Sequence, residues 1–148
     1  RRTTKGPETG TPPPARTTAA PTTRTTRVDP AELDGGKNFS FLAQLYVPPG
    51  MFRSVRLLDS QTPVSYLAAP DGSWCEITRI PDASDHYTVR EAGPTSLWAS
   101  IETAWAKWIE LDAPTLPEFG LTATPTTHHI WHHDPETGPR WTFPTPDE

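Results

Sequence analysis

The 148-residue chain has a single cysteine, Cys75, one methionine, and no apolar run near the roughly 18 residues that cross a bilayer. One thiol cannot close an internal disulfide, and no charged-then-apolar leader opens the chain, so nothing here asks for an oxidising compartment. A cytoplasmic protein with no membrane partner is the expectation. The nine glycines are scattered, with Gly35-Gly36 the only adjacent pair, and G-x-S-x-G and Walker motifs are missing. No phosphate or dinucleotide cradle is present, and no catalytic or cofactor-binding residue is assigned. The first residue is arginine rather than methionine, which fits a piece of a longer polypeptide.

Prolines, by contrast, are abundant. Residues 1–30 hold six prolines, ten threonines and one large aliphatic side chain, Val28, too little apolar surface to offset the entropy of ordering the chain. We expect residues 1–36 to be a disordered Pro/Thr/Arg-rich linker or tail and residues 37–148 a single domain. Within the first thirty residues six basic side chains stand against Glu8 and Asp29, a net of +4 that leaves −9 on the rest of a chain whose total is −5. A tail touching nucleic acid or an acidic partner is one reading of that asymmetry. A solvated spacer is the plainer one, because the arginines are spread out and no aromatic is interleaved for base stacking. Several of these arginines ordered against an acidic surface would overturn it.

The clearest period lies between Pro94 and Asp112. Leu97, Trp98, Ile101, Ala104, Trp105 and Trp108 recur at steps of three and four and form one stripe of an amphipathic helix, with Pro94 in its first turn and Pro114 beyond its end. Such a helix is marginal alone, so three indoles on one stripe require a platform. Around it lie short β-like runs: Phe39–Val47, Phe52–Leu58, Val64–Leu67 paired with Ser73–Ile80 about Asp71-Gly72, and His86–Arg90. Phe119–Thr124 and His128–His133 read as a terminal hairpin joining the same sheet, with residues 134–148 irregular. The expected fold is α+β, a small, mostly antiparallel sheet covered by one amphipathic helix.

Four histidines within six residues, His128, His129, His132 and His133, invite a metal reading. On a strand, however, the members of each same-face pair sit about 13 Å apart, too far to share an ion, and no nearby carboxylate or cysteine motif completes a ligand set. No metal site is expected, and strand histidines on or near the surface account for the cluster. Cys75 beside Trp74 looks like a small buried hydrophobe. In the hairpin it would face a position near Arg90 rather than His86, which argues against a Cys–His pair and against a small hydrolase.

Several stretches together suggest a family. Leu97–Glu110 (LWASIETAWAKWIE), Phe119–Pro125 (FGLTATP), Ile130–Pro135 (IWHHDP), the FSFLAQL run and Ser73-Trp74 resemble the C-terminal accessory domain of actinobacterial protein L-isoaspartyl O-methyltransferase homologues. Those enzymes accompany ribosomally made, modified peptides of the lanthipeptide type. The resemblance covers roughly Asn38 to Pro135. It implies an upstream methyltransferase domain, outside this sequence, that binds S-adenosylmethionine and methylates an aspartate side chain of a ribosomal precursor peptide. The ester can then cyclise to a succinimide and open to isoaspartate. The chain itself lacks the glycine-rich loop and βαβ run of such a catalytic domain, so no catalytic residue carries over. Residues 31–148 would hold the substrate or brace the enzyme. An exposed sheet edge could take up the peptide as an added strand, with Trp131, His129 and His133 as the candidate contacts. The alternative is a stand-alone protein- or peptide-binding module with no enzyme attached. What separates the two is whether the gene product continues upstream of Arg1 into a methyltransferase segment.

Overall fold

Gly93 opens the segment around which the molecule packs. Its φ of +108° and the 2.4 Å that would separate an added Cβ from the Ser73 backbone leave room only for glycine. The helix α2 (Leu97–Glu110) begins three residues later than Pro94, because Ser96 caps it: its hydroxyl accepts from the Ala99 amide and donates to Glu91 Oε1 at 2.9 Å. After Leu111 the chain leaves the helix through positive φ at Asp112 and Ala113 and reaches Pro114. Leu97, Trp98, Ile101, Ala104 and Trp108 are buried as the period requires, and Trp105 is half-buried.

The structure, a computed structural model, describes residues 20–59, 61–83 and 85–144. Strands β1 (Thr22–Thr26), β2 (Phe52–Leu58), β3 (Thr62–Ala68), β4 (Trp74–Arg79) and β5 (Tyr87–Ala92) form an antiparallel sheet in the order β1-β5-β4-β3-β2. Strands β6 (Phe119–Ala123), β7 (Thr127–His132) and β8 (Arg140–Pro144) form a second antiparallel sheet in chain order. The architecture is α+β, with two sheets and two helices where one of each was expected. The terminal hairpin builds its own sheet, and part of the supposedly irregular end is a strand.

Pairing register fixes which face of the large sheet is covered. Leu67 lies opposite Cys75 and Ile77 opposite Val89, and all four are fully buried beneath α2. The other face carries Tyr66 stacked on Trp74 and Arg90 held over the Trp74 ring at 5.2 Å. The β3–β4 turn forms where Asp71-Gly72 predicts it, with Asp71 Oδ1 accepting from the Ser73 amide at 2.8 Å.

Two further assignments change. The run from Phe39 is a helix, α1 (Asn38–Gln44), not a strand. Its apolar residues fit both periods, and the helical one prevails because Phe39, Leu42 and Ala43 then share a face, with Phe39 set edge-on against Trp105 at 4.9 Å and Trp108 at 5.7 Å. The linker boundary also moves. Thr22–Thr26 pairs with Glu91–Tyr87, and a short 3₁₀ turn at Pro30–Leu33 packs beside α1; residues 1–19 lie outside the described residues. Arg24 bridges Glu91 at 3.0 Å and Glu102 at 2.9 Å, and Arg27 reaches Asp85 at 3.2 Å. The acidic partners of these two arginines belong to the same chain, Glu91 on β5, Glu102 on α2 and Asp85 in the β4–β5 connection, so the spacer reading fails for residues 20–33.

Thr26 ties the layers together. Its hydroxyl donates to Glu102 Oε2 at 2.6 Å while accepting from Trp98 Nε1 at 3.0 Å. The small sheet attaches through aromatics: Phe119 meets Phe41 at 5.2 Å, and Trp141 Nε1 donates to Tyr46 Oη at 3.0 Å. Among the described residues no helix is long and apolar enough to cross a membrane.

Candidate functional site

The small sheet decides where the sequence-predicted contacts lie. His129 and Trp131 are two residues apart on its central strand and share a face with Thr122, Gly120, Thr142 and Arg140. The Trp131 ring covers Gly120, where a Cβ would come within 2.1 Å of it, and its Nε1 donates to Thr122 Oγ1 at 3.1 Å. His129 bonds Thr142 Oγ1 at 2.9 Å and Thr127 Oγ1 at 3.2 Å. His133 does not join them.

His133 lies just beyond β7, with φ at +66°. In a continuing strand, neighbours His132 and His133 would point to opposite faces. The positive φ instead brings both rings toward Glu118, with ring centroids 4.2 Å apart. Glu118 Oε1 sits 3.1 Å from His132 Nε2 and 3.5 Å from His133 Nε2. Its other oxygen, Oε2, accepts from the Thr115 amide at 2.9 Å and from Thr115 Oγ1 at 3.2 Å. The Thr115 amide first, then His132, holds the Glu118 carboxyl below its ordinary range. A carboxylate, absent from the sequence reading of the histidine cluster, thus completes a three-donor group. It was within reach: extending the Phe119–His132 register by one residue sets Glu118 opposite His133, and Thr115-x-x-Glu118 is a capping-box pattern.

The other two histidines stay apart from this group. His128 pairs with Ala123 and Phe143 in register, and His86 Nδ1 lies 2.8 Å from Asp85. Cys75 faces Glu91, one position from the expected Arg90, and burial pushes its thiol up to about 12. It is therefore a neutral thiol at physiological pH, away from any histidine partner in register.

A second feature was not foreseen. Strand β2 pairs only with β3 and forms the end of the large sheet. The helices leave it uncovered: Phe52 and Leu58 on one face and Val55 and Leu57 on the other are each more than half exposed. Beside its first residues opens a cleft of about 720 Å³ walled by Leu45, Val47, Met51, Ile101 and Phe143. Arg53 also lines it; the guanidinium donates to Asp34 Oδ1 at 3.0 Å and to the Pro30 carbonyl at 3.1 Å, while Nε is buried without a hydrogen-bond partner.

Comparisons with protein-family models, with curated proteins and with solved structures find no match.

Proposed function

We propose that residues 20–144 are an accessory domain that engages a peptide for a protein L-isoaspartyl O-methyltransferase-like enzyme. It holds a ribosomal precursor peptide while an upstream S-adenosylmethionine-dependent domain methylates an aspartate side chain. The observation that carries the peptide half is the bare edge of β2. Edge strands are ordinarily protected by shortness, charge, proline or a bulge; β2 is seven residues long and, beside Arg53 and Arg56, presents Phe52, Val55, Leu57 and Leu58 to solvent. An extended peptide adding to that edge would gain main-chain hydrogen bonds and cover apolar groups on both faces, with its continuation free to enter the cleft by Met51. The methyltransferase half rests on the resemblance of the Leu97–Glu110, Phe119–Pro125 and Ile130–Pro135 segments. Trp131 and His129, at the centre of the other sheet, are not part of this edge.

The test uses the full-length natural protein and its precursor peptide. Fluorescence anisotropy should show binding that falls at least about tenfold on Val55→Lys with Leu57→Lys, and deletion of residues 20–144 should lower turnover of the peptide. Unchanged affinity in the double variant would remove the strand-edge reading. A full-length mass with no methyltransferase segment upstream of Arg1 would remove the enzyme and leave a binding module.

A further inference from the structure

We propose that Glu118, His132 and His133 form a binding site for a divalent transition ion, Zn²⁺ foremost. The donors are one carboxylate oxygen and two imidazole nitrogens, all within 4.8 Å of one another. Ligands held about 2.0–2.1 Å from a tetrahedral zinc lie about 3.4 Å apart, and the two Glu118 contacts, at 3.1 and 3.5 Å, bracket that spacing. The remaining edge, between the two imidazole nitrogens, is no longer than 4.8 Å, and it runs to the exposed His133 side chain. Two nitrogens and one oxygen suit zinc, cobalt or nickel, whereas magnesium and calcium favour all-oxygen shells.

Three further observations point the same way. His133 adopts a backbone conformation that costs a non-glycine residue energy, and its result is to bring a second imidazole onto the carboxylate that His132 already uses. Glu118 is held from behind: Thr115 occupies Oε2, and the Glu118 carbonyl accepts from the His133 amide at 2.9 Å, leaving Oε1 turned to the rings. His132 is fixed as well. Its side chain is 5% exposed, and its amide donates to the Pro139 carbonyl at 3.0 Å, so little ordering is left to do on binding. His133, 68% exposed, leaves the fourth position facing solvent, where a water or another donor would complete the shell.

The full chain, stripped with chelator and titrated calorimetrically with ZnCl₂, should take up one ion, and Co²⁺ should give the visible absorption of a four-coordinate site. Thermal unfolding should shift upward with Zn²⁺ but not with Mg²⁺. His133→Asn keeps a residue tolerant of positive φ and should weaken zinc more than about 100-fold; Thr115→Ala, acting through Glu118, should weaken it about 10–100-fold. His128→Ala should bind like the parent chain. Absence of stoichiometric zinc binding, or a His133→Asn variant that binds as tightly as the parent, would overturn the site. Because His133 is exposed and its replacement suits the local backbone, that variant folds and the comparison stays decisive.

Discussion

Thr26 shows how much a single hydroxyl does in this protein. It gives its proton to Glu102 and receives the indole N–H of fully buried Trp98, so Thr26→Val keeps the shape and strands a buried donor. A loss of about 1–3 kcal/mol is expected, read from urea unfolding. Arg24→Ala should cost about 1–2 kcal/mol, less than a fully buried pair because the guanidinium is partly exposed, since it leaves Glu91 and Glu102 facing each other. Cys75, with its thiol pushed up to about 12, should resist alkylation in the native protein at neutral pH and react only on unfolding. Glu118 supplies a pH dependence whose sign follows from its lowered pKa. The folded state favours the charged form, so the stabilisation is complete above the ordinary value of 4.5 and is lost as pH falls through the lower folded value. In metal-free buffer, parent and Glu118→Gln should differ in stability near neutrality and converge in acid.

Elements were legible in proportion to how one-sided their patterns are. Helix α2 announces itself because its stripe fits only a period of 3.6, and the β3–β4 hairpin because Asp71-Gly72 allows little else. Helix α1 is short and apolar enough to satisfy both periods; contact with Trp105 and Trp108 decides, and no local rule contains those partners. Phe39→Ala should therefore cost about 3–5 kcal/mol in chemical unfolding, more than expected for a half-buried strand residue. The threonine-rich β1 escaped notice for the same reason: its buried Thr26 and half-buried Arg24 are polar and are satisfied by residues more than sixty positions away. The three-donor group was half visible. Spacing along one strand ruled out pairs four apart, but adjacent histidines brought together by a positive φ and joined by a carboxylate from the facing strand lie outside any linear spacing rule.

At the scale of the whole molecule, the expected boundary at residue 37 cuts through the body. A chain beginning at Lys37 loses β1, the Arg24 bridges and the Thr26 partner of Trp98 together. It should melt well below the chain that begins at Arg1, or lose cooperative melting altogether, as followed by far-ultraviolet circular dichroism. An intact melting transition in the shorter chain would show that β1 is an ornament rather than a part.

The first strand also sets a timetable. Strands β2 to β5 meet their neighbours across short turns, but β1 can zip onto β5 only after some sixty intervening residues have been made and arranged, a closure that is entropically late. Until it arrives, the tryptophan at the heart of the molecule waits without its polar partner. A nascent chain stalled before Tyr87 would carry its threonine arm as loose thread, and a folding experiment should find that arm fastening last.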